Sequence, residues 1–164
     1  MACRGVLFAL TESQDEALVA TRDDVEVRAF VADVEGAWDE DWLCEVDKAW
    51  DAMHRCLSDG TLRLGRCGGG PLELVVLGGG HHYEGEEYVV AHVLADQVPA
   101  VAEALDSVDE AWLRERYDVI DPDDYQGVLE DEDFEYTWHY LQEVRDFYKK
   151  AAAAGRSVIF TVDQ

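Results

Sequence analysis

Hydrophobic and polar positions follow two patterns along this chain. Short, largely apolar runs predict buried strands at residues 6–10, 72–77, 88–94 and 156–162. Apolar residues spaced three or four positions apart predict helices at residues 12–21, 24–34, 41–58, 96–105, 108–117 and 134–154. The segments between them carry glycine, proline or clustered acidic residues, which are typical of turns and loops.

The order of these elements defines the fold class. It runs strand, helices, two strands, helices, strand, and the chain contains no internal repeat and no second core. This alternation predicts a single α/β domain over residues 1–164, with a central mixed sheet of about four or more strands flanked by helices. An α+β arrangement is the alternative that the same order allows.

The helix predicted at 41–58 has the clearest apolar stripe, formed by Trp42, Val46, Ala49, Trp50, Met53 and Leu57. Cys44 and Cys56 would lie about 18 Å apart on it, too far to form a disulfide. The four cysteines, which also include Cys3 and Cys67, show no CxxC spacing. We therefore predict thiols rather than a disulfide framework, and no zinc site.

Charge narrows the classes of partner. The 164 residues include 37 acidic and 13 basic side chains, a formal net charge of −24. Nucleic acid and anionic membranes are polyanions that this charge repels, so both are excluded as partners. The first residues lack the long apolar region and cleavage site of a signal peptide, and no apolar run is long enough to span a membrane. A cytoplasmic protein is expected.

One segment, residues 46–54, reads VDKAWDAMH and resembles the D-K-x-W-D-x-x-H motif of the YfbM-like family, bacterial proteins of unknown function. Three further segments are similar to that family in the same order: residues 4–10, residues 74–79 and residues 147–155. The resemblance covers essentially the whole chain. It implies a single domain with helices around a mixed sheet, and it implies no activity, substrate or cofactor.

The same motif is the strongest candidate site. On a helix its four polar and aromatic members lie on one side, at i, i+3, i+4 and i+7: Asp47, Trp50, Asp51 and His54. Asp51 is placed to orient the imidazole of His54 or to raise its pKa, and Trp50 offers a stacking surface. The alternative is structural, because an Asp–His contact on a helix is often a satisfied polar pair and a tryptophan at core spacing usually packs.

A glycine-rich loop with histidines is the second candidate. Gly78, Gly79, His81 and Tyr83 are predicted to contribute to ligand binding, although the loop matches no phosphate-binding motif. The adjacent residues His81 and His82 would point to opposite sides of an extended chain, so we predict no metal site there. His92, within an apolar strand, is predicted to be a buried, hydrogen-bonded histidine.

Two function classes follow from these observations. The first is a non-enzymatic binding module, since no nucleophile motif stands out and the charge suits a basic protein or a small molecule as partner. The second is a small-molecule enzyme or sensor with a pocket between residues 47–54 and 78–83, in which His54 is the acid or base and Asp51 orients it. No cofactor is predicted, and the chain is expected to be a monomer or homodimer.

Overall fold

The computed structural model describes residues 3–65 and 69–163. Within them the strands are β1 (Gly5–Leu10), β2 (Leu43–Asp47), β3 (Gly80–His81), β4 (Tyr88–Val93) and β5 (Ser157–Asp163). The α-helices are α1 (Glu12–Val19), α2 (Asp24–Ala37), α3 (Trp50–Leu57), α4 (Val98–Asp106), α5 (Glu110–Tyr117) and α6 (Asp131–Ala153). A 3₁₀ helix spans Pro71–Val75. Cys67 lies outside the described residues.

The five described strands form one sheet in the order β2-β1-β5-β4-β3. This confirms an α/β domain with a central sheet flanked by helices. Every pairing between these strands is antiparallel, including the central registers Leu7↔Phe160 and His92↔Ile159. The sheet is therefore antiparallel in its described part, whereas the sequence predicts a mixed one. Sequence periodicity identifies strands but carries no information on the direction in which they pair.

Both faces of the sheet are covered. Alternate side chains such as Leu7 and Phe160 belong to the large core under α3, α4, α5 and α6. Their neighbours Phe8 and Ile159 point the other way, into a smaller core with Leu18 of α1. Because β1, β4 and β5 are buried on both faces, they are largely apolar runs instead of alternating patterns, which is why these three strands were detectable in the sequence.

The segment 41–58 is not one helix, and that prediction is wrong. Residues Leu43–Asp47 form the edge strand β2, and only Trp50–Leu57 are helical. Asp47 has φ of +43°, a left-handed conformation that ends the strand before the turn at 48–49. Cys44 and Cys56 are free thiols on these two different elements. Their relative position is therefore set by the turn and not by the rise of a helix.

The strand predicted at 72–77 is also wrong, because Pro71–Val75 is a 3₁₀ helix with proline at its start. Leu74, Val75, Val76 and Leu77 are all buried. A fully buried helical turn and a fully buried strand give the same continuous apolar run, so periodicity alone does not separate them.

Apart from β3, a two-residue strand in the segment that the sequence predicts as a loop, the remaining elements match their predictions within a few residues. The long helix α6 begins with three acidic residues and ends before Gly155, whose φ is +67°. Negative charge in a first helical turn interacts favourably with the helix dipole. Among the helices in residues 3–65 and 69–163, none combines the length and apolar character needed to cross a membrane.

Candidate functional site

A surface cleft of about 360 Å³ lies beside the first turn of α3. Its walls come from the turn after β2, from the loop around residue 126 and from the first part of α6. The side chains that define it are Lys48, Asp51, Tyr125, Asp133 and Tyr136. The cleft therefore combines carboxylates with two tyrosine rings, next to the motif that the sequence singled out.

Asp133 holds one wall of the cleft together. Its Oδ2 accepts hydrogen bonds from the hydroxyls of Tyr117, at 2.5 Å, and Tyr125, at 2.9 Å. Burial, together with the hydrogen bond to Asp133 and its charge, raises the pKa of both phenols. Both hydroxyls therefore stay protonated as donors, and their rings are fixed in orientation.

Another wall is formed by Tyr136, whose hydroxyl is held by Asp47, a residue outside the lining of the cleft. The Tyr136 hydroxyl donates to Oδ2 of Asp47 at 2.7 Å and accepts from the Lys48 backbone N–H at 3.3 Å. The other oxygen of Asp47 lies 3.3 Å from Nε of Arg4, which is largely exposed. Burial and the hydrogen bond to Asp47 raise the pKa of Tyr136. The left-handed turn at Asp47 thus orients a second aromatic ring toward the cleft.

A buried guanidinium binds Asp51, one of the residues that line the cleft. Arg55, whose side chain is 2 % exposed, donates from Nε to Asp51 at 2.6 Å and from Nη1 to Asp124 at 2.5 Å. Burial raises the pKa of Asp51, and the Arg55 charge opposes that effect. Arg55 is thus bound to two carboxylates. Lys48 is the cationic side chain among the residues that line the cleft.

Trp50 and His54, predicted as ligand-binding residues, face the protein interior. The Trp50 indole N–H donates to the Cys3 carbonyl at 2.8 Å, and its ring packs 5.8 Å from that of Phe160. His54 is fully buried and its two ring nitrogens have no hydrogen-bond partner in the described part of the chain. Neither residue lines the cleft.

The environment of His54 keeps its ring neutral. Burial lowers the pKa of His54 to about 4, and the nearby Arg55 charge adds to this effect. The Arg63 backbone and the carboxylate of Asp59 act in the opposite direction, although the Arg63 backbone does not meet hydrogen-bond geometry with the ring. Asp51, expected to orient this ring, binds Arg55 instead. A neutral ring with no oriented proton is poorly suited to acid–base chemistry in the cleft.

The glycine loop lies away from this cleft. A Cβ at Gly78 or Gly79 would come well within 3.0 Å of the carbonyl oxygens of Glu73 and His92, respectively. These glycines are therefore explained by close backbone packing against the 3₁₀ helix and β4. The structure does not bring residues 78–83 to the cleft at residues 47–51.

The other two predicted ligand residues of this loop already have contacts. His81 Nε2 lies 3.0 Å from the Gly65 backbone nitrogen and 2.9 Å from the Leu77 carbonyl oxygen. The Tyr83 hydroxyl donates to Glu87 at 2.5 Å. In residues 3–65 and 69–163, no three histidine, cysteine or acidic side chains are arranged to hold a metal ion.

Of the predicted ligand residues, Asp51 lines the cleft and Asp47 contacts Tyr136 beside it, whereas the other side chains of the lining were not predicted. Asp133 and Tyr136 lie three positions apart near the start of α6, a spacing that puts both on one side of a helix. That spacing was the available signal. Tyr125 lies in an acidic connection that the sequence identifies only as a turn, so nothing local indicated its role.

Comparison of the whole chain with known families identifies the class of domain to which it belongs, and that class has no assigned activity. The chain belongs to the family described as Domain of unknown function (DUF1877), which it matches over residues 1–161. Its structure is similar to that of YfbM from Escherichia coli, a protein of unknown function. The TM-score is 0.72 at 17 % identity, covering 97 % of this chain and 99 % of that one. The YfbM-like resemblance is thereby confirmed. Comparison with curated proteins gave no match.

Proposed function

We propose that this protein is a non-enzymatic binding module whose cleft takes a positively charged group. The group is a primary ammonium or a guanidinium, carried by a small molecule or by a side chain of a basic protein. The observation that carries the proposal is the joint presence of two carboxylates, Asp51 and Asp133, and two tyrosine rings in one cleft of about 360 Å³.

Charge and shape both favour a cation, because the residues that line the cleft include two carboxylates against one lysine. Carboxylates form strong, charge-assisted hydrogen bonds with ammonium and guanidinium groups. Tyrosine rings attract cations on their faces, and Tyr125 and Tyr136 are held in place by hydrogen bonds from their hydroxyls to Asp133 and Asp47. The volume is at the low end of small-molecule pockets, which suits a single amine-bearing group rather than a large cofactor.

A binding role fits the cleft better than catalysis does. The tyrosine hydroxyls donate to carboxylates, and the raised pKa of Tyr125 keeps it from acting as a base near neutral pH. Arg55 is held between Asp51 and Asp124. These groups hold one another in fixed positions, which favours recognition through a preorganised surface.

The test is a titration followed by two-dimensional ¹H–¹⁵N NMR with n-butylammonium and n-butylguanidinium. Butanol and butyrate serve as neutral and anionic probes of the same chain length. We expect saturable shifts at the backbone amides of Lys48, Gln126 and Gly127 with the cations alone. Equal shifts with butyrate, or no saturable shift with either cation, would overturn the proposal.

A matched pair of variants on α6 separates the cleft from general acidity. Asp133→Asn retains an oxygen that accepts from the tyrosines but removes the charge, and it is expected to weaken cation binding about tenfold or more. Glu132→Gln removes one exposed charge from the same helical turn and should leave binding within about twofold. Equal weakening by both variants would mean that the cations respond to the overall charge and not to the cleft.

A further inference from the structure

One edge of the sheet is open along β2. This strand pairs with β1 on one side, and within residues 3–65 and 69–163 no strand lies on its other side. Its length corresponds to about 17 Å, at about 3.3 Å per residue. Backbone N–H and C=O groups are strong hydrogen-bonding groups, so an open edge is a template to which another extended chain can add.

The register of β1 and β2 shows which backbone groups of β2 are open. The Ala9 N–H donates to the Trp42 carbonyl at 2.8 Å, one pair before Leu43 in the ladder. Hydrogen-bonded pairs alternate with non-hydrogen-bonded pairs along antiparallel strands. The backbone groups of Leu43 and Glu45 therefore point away from β1, and those of Cys44 point toward it. In the described part of the chain, the Glu45 carbonyl has a weak contact at 3.8 Å with the Cys44 sulfur.

Helix α6 contacts the chain just beyond each end of this open stretch. At one end, the Lys150 side chain donates to the Asp41 carbonyl. At the other end, the Tyr136 hydroxyl accepts from the Lys48 backbone N–H at 3.3 Å. A groove of about 500 Å³ lies between β2 and α6. The open edge therefore has room for about five residues of an added strand.

The groove is strongly acidic. Its lining contains one lysine, Lys150, and five exposed carboxylates. Those carboxylates are Glu40, Asp41, Glu45, Glu143 and Asp146. Burial raises the pKa of the Cys44 thiol, and the charges of Glu143 and Glu45 add to this effect, so carboxylates from α6 and from β2 lie near the same atom. Such a surface attracts and selects a positively charged partner.

Apolar surface lies beneath these carboxylates. It comes from Tyr140 and Phe147 of α6 and from Leu43 of β2. Lysine and arginine lay their apolar stems along such a surface while the charged end binds a carboxylate. Glu143 and Asp146 are three residues apart and so lie on one side of α6. Side chains of a strand alternate between its two faces, so every second side chain of an added strand would point toward them.

We propose that the outer edge of β2 binds an extended basic segment of another protein by strand addition. The backbone of that segment hydrogen-bonds to Leu43 and Glu45, and its lysine or arginine side chains, at alternate positions, bind Glu143 and Asp146. A second copy of this chain is disfavoured as the occupant, because the net charge is −24 and two edges that each carry Glu45 would bring like charges together. The groove and the cation-binding cleft share no lining residue, so neither proposal depends on the other.

The test uses the pentapeptide Lys-Val-Lys-Val-Lys, acetylated and amidated at its ends. Glu-Val-Glu-Val-Glu is the acidic control, and a third peptide is the basic sequence with N-methyl groups on its three central residues. NMR titration and backbone amide hydrogen exchange measure binding. With the basic peptide we expect saturable binding and slower exchange at the N–H groups of Leu43 and Glu45, with no change at Cys44. N-methylation retains the charge but blocks backbone pairing, so it should weaken binding about tenfold or more.

Four outcomes would overturn the proposal. They are equal binding of the N-methylated peptide, equal binding of the acidic peptide, no added protection at Leu43 and Glu45, and protection of these two amides that rises with protein concentration in the absence of peptide. The last outcome would identify a second copy as the occupant. Cation binding in the cleft is measured at other amides, those of Lys48, Gln126 and Gly127, so failure of one proposal is distinguishable from failure of the other.

A matched pair of double variants separates the groove from general acidity. Glu143→Gln with Asp146→Asn removes two charges of the groove and should weaken binding of the basic peptide about fivefold or more at low salt. Glu132→Gln with Glu135→Gln removes two exposed charges of α6 outside the groove and should leave binding within about twofold. Equal weakening by both double variants would show that the peptide responds to overall charge and would refute the groove.

Discussion

Replacing His54 with leucine should reduce the loss in the free energy of unfolding that the wild type shows as the pH falls below 6.5. Above pH 6.5 the ring is neutral in both the folded and the unfolded chain. Between pH 6.5 and about 4, His54 is protonated in the unfolded chain but stays neutral in the folded protein. The wild type therefore loses stability as the pH falls. Below about pH 4 this loss is complete and levels off.

The size of the effect follows from the burial of the ring. A pKa lowered from 6.5 to about 4 corresponds to about 3 kcal/mol in the free energy of unfolding, at about 1.36 kcal/mol per pH unit. Because carboxylates also titrate in this range, the informative quantity is the difference between wild type and His54→Leu at each pH. At pH 7.5 the variant should be at least as stable, since the imidazole has no hydrogen bond in the described residues to lose.

Urea unfolding followed by tryptophan fluorescence at pH 7.5, 6, 5 and 4 measures this difference. His139→Leu serves as the matched control, because His139 is exposed on α6, where it lies next to the exposed Glu143 and has an edge-to-face contact with the Tyr140 ring. The control should keep the wild-type slope. Parallel curves for wild type and His54→Leu would refute the reasoning, because they would show that His54 takes up its proton equally in both states.

The remaining predictions concern backbone packing and the buried guanidinium, and urea unfolding at pH 7.5 measures both. Gly79→Ala should cost about 1–3 kcal/mol, because its Cβ would meet the His92 carbonyl, whereas Gly80→Ala has 3.9 Å of clearance and should be nearly neutral. Equal losses would contradict the packing explanation. Arg55→Met should cost about 2–4 kcal/mol by leaving a carboxylate buried without its partner, against less than about 1 kcal/mol for the exposed pair removed by Arg63→Met. A loss for Arg55→Met no larger than for Arg63→Met would contradict that account.

The two wrong elements share a cause. In residues 41–58, apolar positions fit both the two-residue repeat of a half-buried strand and the stripe of a helix up to Val46. What selects the strand is pairing with β1, as in Val6↔Glu45, and this contact is distant in sequence. The 3₁₀ helix at Pro71–Val75 was ambiguous for the same reason, because its last three residues are buried by elements that lie elsewhere in the chain.

Only part of the candidate site could be predicted from the sequence, for a related reason. Asp47 and Asp51 lie in one short motif, and their presence in or beside the cleft needed no long-range information. Asp133 is some eighty residues away, and no local pattern indicates that it faces Asp51. The partner of Asp51 was misjudged because Arg55, at i+4, is a permanently charged donor and binds the carboxylate in preference to the imidazole of His54.

The position of β5 in the sheet has a consequence for biosynthesis. This strand lies in the middle of the sheet, between β1 and β4, so the first and last strands of the described chain are hydrogen-bonded to each other. While the chain is being translated, β1 has only β2 beside it, and one of its edges stays open until residues 157–163 leave the ribosome. Folding that waits for such distant contacts is slow, and the unfinished edge is a place where chaperones or other nascent chains can bind.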